Sequence, residues 1–217
     1  MASPVSPPAG QPNTVWLNDG TGTFTDTGQT LGAARTRGVA AGDLDGDGDL
    51  DAIFANAWFL SSGLPNTVWL NDGTGTYSDT GQTLGNAPSY AVALADFDGD
   101  GDLDAVYSNS DEISRVWLND GTGTFTDSGE NLGTADSLGV AVGDLDGDGD
   151  IDVMMANDVG QGNRVWFNDG TAAFTVGSSI GASDSQAVAL GDLDGDGDLD
   201  AAFGNYFGDS SMIRTNS

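Results

Sequence analysis

The 217-residue chain has no cysteine and no histidine, and its five basic residues are all arginine. These absences exclude disulfides, thiol nucleophiles, Schiff-base lysines and histidine-centred triads, while leaving the redox compartment open. No apolar run approaches the roughly eighteen residues of a membrane helix, so no membrane span is expected. Positive charge is scarce: 34 acids give a formal charge of −29, which repels a phosphate backbone and argues against a nucleic-acid partner. Helical periodicity is missing as well. Apolar residues come instead in strand-length runs such as Gly38-Val39-Ala40-Ala41 and Ala52-Ile53-Phe54-Ala55.

What the chain has in abundance is aspartate, concentrated in four loops that each read D-[LF]-D-G-D-G-D-[LI]-D. They comprise Asp43, Asp45, Asp47, Asp49 and Asp51; Asp96, Asp98, Asp100, Asp102 and Asp104; Asp144, Asp146, Asp148, Asp150 and Asp152; and Asp192, Asp194, Asp196, Asp198 and Asp200. Together they hold 20 of the 34 acids. Like charges at this density repel unless a cation sits among them. A hard cation such as Ca²⁺ takes six to eight oxygens, which carboxylates at positions 1, 3, 5 and 9 and the backbone carbonyl at position 7 can supply. One ion per loop, about four per chain, is expected. Position 6 is always glycine (Gly48, Gly101, Gly149, Gly197), which can take the left-handed backbone that wraps a loop around an ion. An EF-hand would need glutamate at position 12, where this chain has Phe54, Tyr107, Met155 and Phe203.

The loops begin at residues 43, 96, 144 and 192, and a second block lies between them. That block runs Asn13-Thr14-Val15-Trp16-Leu17-Asn18-Asp19-Gly20-Thr21-Gly22-Thr23-Phe24 and recurs from Asn66, Ser114 and Asn163. Val-Trp-Leu, an Asn-Asp-Gly turn and Gly-Thr-Phe read as strand, turn, strand. Four short strands per period of about fifty residues describe one blade of a β-propeller.

These residues, V-A-x-G-D-L-D-G-D-G-D-L-D-A followed by N-x-V-W-L-N-D-G-T-G-T-F, resemble the VCBS/FG-GAP repeats of integrin-α-like calcium-binding β-propellers. The resemblance covers about residues 13 to 205. It implies an all-β propeller of four-stranded antiparallel blades, about four per chain rather than the seven of integrins, with the acidic loop joining the first and second strands. It also implies an extracellular adhesion or binding module, lectin-like in some members and a noncatalytic companion of secreted enzymes in others. Calcium loops of this type work at the millimolar concentrations found outside cells, so an extracellular or cell-surface location is expected. Met1 to Pro12 reads as a Pro-rich leader rather than a signal peptide.

Residues 13–210 form the expected propeller domain. The chain enters on a third and fourth strand (Asn13 to Thr27) and leaves on a first and second strand (Gln186 to Asn205), so pairing of N-terminal with C-terminal strands would close a four-bladed ring and remove exposed edges. Residues 211–217 complicate this. They align with Asn163 to Asp169 as the start of another repeat and compete with Asn13 to Asn18 for one place. The alternative is an eight-bladed ring from two chains, so the protein is expected as a monomer or a homodimer.

The acidic loops are nearly identical from repeat to repeat, whereas segments on the opposite face vary. These include Ala57-Trp58-Phe59-Leu60, Ser110-Asp111-Glu112-Ile113, Tyr206-Phe207, and the entries Arg35-Thr36-Arg37 and Pro88-Ser89-Tyr90. Trp58, Phe59, Tyr90, Tyr206 and Phe207 can stack on sugar rings or anchor a surface protein, and Arg35 and Arg37 can grip an anion. The repeated Trp16, Trp69, Trp117 and Trp166 read as core between blades. Catalysis is not expected, since the only glutamates, Glu112 and Glu130, do not recur. A purely structural repeat is the competing reading: Asn13 to Gly32 and Asn66 to Gly85 differ only at Phe24/Tyr77 and Thr25/Ser78.

Overall fold

In the computed structural model the described residues are 11–57, 64–181, 184–206 and 211–215. The expectations for Met1 to Gly10, for Trp58, Phe59 and Leu60, and for Phe207 lie outside them. The chain is all-β, with four antiparallel blades arranged as a β-propeller and no helix among the described residues. Alternation of apolar and small residues, broken every few positions by Gly-Asp or Asn-Asp-Gly, leaves no segment long enough for anything but short strands.

A hairpin comes first, with β1 (Asn13–Asn18) paired to β2 (Phe24–Leu31). The first blade is β3 (Thr36–Gly42), β4 (Asp51–Asn56), β5 (Thr67–Asn71) and β6 (Tyr77–Asp79). The second is β7 (Ser89–Ala95), β8 (Asp104–Asn109), β9 (Arg115–Asn119) and β10 (Phe125–Asp127). The third is β11 (Ser137–Gly143), β12 (Asp152–Asn157), β13 (Asn163–Asn168) and β14 (Phe174–Ile180). The fourth is β15 (Ser185–Gly191), β16 (Asp200–Asn205) and β17 (Met212–Arg214). Inner strands pack in the order β3, β7, β11, β15.

One expectation is corrected. The N-terminal strand does not close the ring by pairing with the C-terminal blade: β1 pairs with β2, and the tail residues Met212, Ile213 and Arg214 pair with Phe203, Ala202 and Ala201 as the third strand of the last blade. The tail lies a short loop away from β16, whereas the N-terminus is separated from it by the whole chain, so loop-closure entropy favours the local partner.

The core lies between blades. Ile53, Ala55 and Val68 of the first blade meet Ala105, Tyr107 and Phe125 of the second, and Val106 and Val116 meet Val153 and Met155 of the third. Trp69, Trp117 and Trp166 pack at these junctions, but Trp16 is 53% exposed because no blade among the described residues covers that face of its hairpin. At the end of the blades opposite the acidic loops, a buried polar chain links neighbours. Asn66 Nδ2 donates to Ser89 Oγ (2.9 Å), and Ser89 Oγ donates to Asn109 Oδ1 (2.7 Å). The same relay runs Asn13 to Thr36 to Asn56, and Asn163 to Ser185 to Asn205. Satisfied internally, these amides fix the angle between blades at little desolvation cost.

Tyr107 departs from this economy. Its ring is fully buried where the other repeats place Phe54, Met155 and Phe203, and its hydroxyl has no partner among the described residues. A stranded buried hydroxyl costs about 1–3 kcal/mol. Tyr107→Phe should therefore stabilise the fold by about 1 kcal/mol, read as a rise of roughly 2–4 °C in the melting temperature. A lower melting temperature would show that the hydroxyl has a partner.

Candidate metal centre

Each acidic loop connects the inner strand of a blade to its second strand, and its backbone is held by its own carboxylates. In the first loop Asp43 accepts from the amides of Gly46 (2.9 Å) and Gly48 (3.0 Å), and Asp47 accepts from Asp49 N (2.9 Å). The second, third and fourth loops repeat this pattern. Position 6 has φ of 92°, 96°, 97° and 100° at Gly48, Gly101, Gly149 and Gly197, a region that L side chains avoid.

Asp51, at position 9, works differently. It is fully buried, and its two oxygens accept from Leu44 N (2.8 Å) and Asn71 N (2.7 Å), so one carboxylate joins the loop, β4 and β5. Asp104 and Asp152 make the equivalent pairs with Phe97 and Asn119, and with Leu145 and Asn168. Burial pushes the carboxyl groups of Asp51 and Asp152 above the ordinary aspartate range, and that of Asp104 up to about 6; backbone amides oppose the shift, and the acids at positions 3 and 5 add to it.

The geometry brings together positions 1, 3 and 9. Carboxylate oxygens of Asp43, Asp45 and Asp51 lie within 4.8 Å of one another, as do those of Asp96, Asp98 and Asp104, of Asp144, Asp146 and Asp152, and of Asp192, Asp194 and Asp200. Four aspartate clusters can thus hold metal ions. Position 5 (Asp47, Asp100, Asp148, Asp196) stays outside the three-oxygen groups and caps the amide two residues on, at position 7. The position-7 side chains point elsewhere: Asp49, Asp102 and Asp150 press against Gly73, Gly121 and Gly170 in the third-to-fourth-strand turns, where any Cβ would collide with them. Both turn types therefore share one face. The donor set suits a hard cation: it is all oxygen, with a desolvated carboxylate at its base.

By pattern the Asn-Asp-Gly asparagines are turn formers, and Asn18 does accept from Gly20 N and Gly22 N. Asn119 and Asn168 do more. They are buried, and their amides donate to Leu44 O and Phe97 O (both 2.8 Å), tying each blade to the acidic loop of the one before it. Their near identity to ordinary turn residues hides this role in the sequence.

On the opposite face the blade entries converge on a cavity of about 760 Å³ lined by Arg37, Tyr90, Asp136, Asp158, Gln186 and Tyr206, among others. The Arg37 guanidinium lies over the Tyr90 ring, 5.2 Å from its centroid, and Gln186 Nε2 donates to Asp158 Oδ2 (2.9 Å). One oxygen of Asp136 is buried without a partner among the described residues, and burial raises that group's pKa. Of the aromatic and arginine candidates, Tyr90, Tyr206 and Arg37 meet here.

Comparison with known proteins gives a consistent picture. A family model described as FG-GAP-like repeat matches residues 5–54, 57–107, 96–155 and 144–203. No curated protein matches the chain. Among solved structures, the chain is similar to an Agrocybe aegerita lectin that recognises non-reducing terminal N-acetylglucosamine (TM-score 0.51, 22% identity, covering 88% of this chain and 54% of that one). It is also similar to the V. cholerae biofilm matrix protein Bap1 (TM-score 0.47, 18% identity, covering 80% of this chain and 30% of that one). The chain thus spans about half the length of the lectin chain it matches.

The raised carboxyl at Asp104 has a pH consequence. In metal-free protein the folded state binds a proton at Asp104 below pH 6, while the unfolded state, with the ordinary value of 3.8, does not. Metal-free protein should therefore gain stability as pH falls from 7 through 6 towards 4. Thermal melts in chelator at pH 7.5 and 5 check this, and a lower melting temperature at pH 5 would refute it.

Proposed function

The chain belongs to the FG-GAP-like repeat family, and from that premise we propose that it is a calcium-dependent, extracellular, noncatalytic binding module whose variable face takes carbohydrate. The observation that carries this reading is the division of the propeller into two faces. One face repeats the same oxygen cluster in every blade. The other brings unlike residues from successive blades to one cavity, where Tyr90 and Tyr206 offer rings and Asp136, Asp158 and Gln186 offer hydrogen-bonding groups.

Calcium, when bound, supplies the charge that lets three carboxylates share a few ångströms. Asp43, Asp45 and Asp51, and their equivalents, would hold it, with Asp47 and the Asp49 carbonyl completing the shell on the sequence pattern. Asp51 already spends two lone pairs on backbone amides, so its role is to fix the loop against the blade as well as to face the ion. Rigid loops on that face hold the inner strands, and the strands aim the cavity residues at their other ends.

Tyrosine rings beside carboxylates and an amide are the groups that recognise a sugar, one stacking on its apolar face and the other bonding its hydroxyls. The Agrocybe lectin, similar in fold, recognises non-reducing terminal N-acetylglucosamine, which supports a carbohydrate ligand. A structural repeat without a ligand is the second reading, favoured by the near identity of Asn13 to Gly32 and Asn66 to Gly85.

Calcium titration of chelated protein should give about four sites per chain, and chelation should lower the melting temperature. Saturating one site at a hundred times its dissociation constant adds about 2.7 kcal/mol, or roughly 5–11 °C for a chain of this size. Asp47→Ala should weaken one site and leave the rest. An unchanged melt in chelator would sink the metal assignment.

Glycan-array binding in calcium should be detectable and should fall at least about tenfold in Tyr90→Ala, since a hot-spot aromatic contact is worth about 2 kcal/mol or more and tenfold needs about 1.4 kcal/mol. An array silent for the folded, calcium-loaded protein would favour the structural repeat instead.

A further inference from the structure

The two ends of the blade series carry the two halves of one junction. Inside the chain, each blade offers its follower a notch over a glycine or alanine at the end of the inner strand. A Cβ at Gly42 would lie 2.6 Å from Leu103 Cδ1 of the second blade, and one at Gly143 would lie 2.6 Å from Leu199 Cδ1 of the fourth. Gly191 is the same position in the last blade, and its notch is open: among the described residues, only Leu193 of its own loop comes within 4 Å. The leucine that matches Leu103 and Leu199 at the other end of the series is Leu50, 59% exposed.

Neighbouring positions repeat the match. Val39 is 61% exposed, whereas its equivalents Val92, Val140 and Val188 pack against the preceding blade. Ile213 is 66% exposed, whereas its equivalents Val68 and Val116 are fully buried under the following blade. Ala187 and Ala189 of β15 are exposed too.

The last blade is also incomplete in a way that the first hairpin fits. Its third strand, β17, has Arg214 where the other blades have Trp69, Trp117 and Trp166, and it has no fourth strand among the described residues. The result is an apolar cavity of about 160 Å³ on the third blade, lined by Leu145, Met154, Val165, Phe167 and Ile180, with Arg214 at its side. At the earlier junctions the corresponding space is closed by the follower's tryptophan and its fourth-strand aromatic: Trp117 and Phe125 in one, Trp166 and Phe174 in the next. Phe174 meets Phe97 edge to face at 5.7 Å. The hairpin carries both missing residues, Trp16 and Phe24, exposed at 53% and 59%.

We propose that two copies of this chain join head to tail. The hairpin β1–β2 of one copy replaces β17 at the edge of β16 in the other and supplies the third and fourth strands of that blade. Trp16 and Phe24 then fill the cavity over Met154 and Val165, and Leu50 of the incoming copy enters the notch at Gly191. A heterologous contact of this kind must close or propagate. With four blades contributed by each copy, two such contacts close an eight-bladed ring in which no blade edge or junction face is left bare. Because the partner surface is a fourth instance of a junction the chain already makes three times, its occupant is a copy of the same sequence.

Light-scattering mass of the full calcium-loaded chain tests this. At about 100 μM, above the micromolar limit of interfaces of ordinary size, the expected particle has twice the 22.0 kDa chain mass. Val39→Glu, at an exposed position outside the acidic loop, should return a folded monomer or weaken association at least about tenfold. Removing Ser211 to Ser217 takes away the competing strand and should preserve or tighten the dimer. A monomer at this concentration, an assembly larger than two, a dimer indifferent to Val39→Glu, or one lost with the tail would each overturn the proposal.

Discussion

The buried carboxylate at position 9 of each acidic loop is the interaction on which the rest of the molecule depends. Asp51 sits in the core and answers two backbone amides, one from its own loop and one from the third strand of its blade. An unpaired buried charge is expensive, and the directions of the pKa shifts at Asp51, Asp104 and Asp152 register that expense. The same residue therefore orders the blade and creates a deficit of positive charge. A cation among the neighbouring carboxylates would answer the deficit and would place metal binding and blade integrity in one thermodynamic unit.

Blades are then joined by amide side chains that reach across junctions. Asn119 and Asn168 secure the preceding loop, and Gln29 and Gln82 bracket the edge strand of the following blade through Gly75 O with Tyr77 N, and Gly123 O with Phe125 N. These neutral bonds require fixed geometry without adding charge to a chain that already carries −29. At the opposite end the relays from asparagine through Ser or Thr to asparagine do the same. Aliphatic packing fills the space between, so polar groups set the angle while apolar groups supply the driving force.

Much of this was legible in the sequence. The period, the Asp-rich loops and the Asn-Asp-Gly turns specify strand order and which turns share a face, because each is a local backbone requirement repeated in every copy. The site was legible in part: positions 1, 3 and 9 converge, but the lean of Asp49 onto Gly73 depends on the packing of two turns that are remote in sequence. Closure was not legible. Asn13 to Asn18 and Met212 to Arg214 both fit the edge of β16 by pattern, and the choice between them turns on proximity along the chain rather than on side-chain identity. The exposure of Trp16 has a similar origin, its environment being set by which strands pack over its hairpin rather than by its own repeat pattern.

The ends of the blade series also grade the four loops, although their sequences barely differ. Burial of the clustered aspartates declines along the chain: positions 1 and 3 are half-buried in the first two loops, position 3 is exposed in the third, and both are exposed in the fourth. Position 2 follows, with Leu44 and Phe97 buried and Leu193 52% exposed. A complete following blade is what covers a loop, through its asparagine and its fourth-strand aromatic, and the last two loops have less of it. Lower burial means weaker pre-organisation and stronger screening of each carboxylate by water, so four near-identical motifs offer candidate cation sites of three grades. Whatever covers the open end of the last blade raises the order of its loop, and by linkage an ion held there favours that cover.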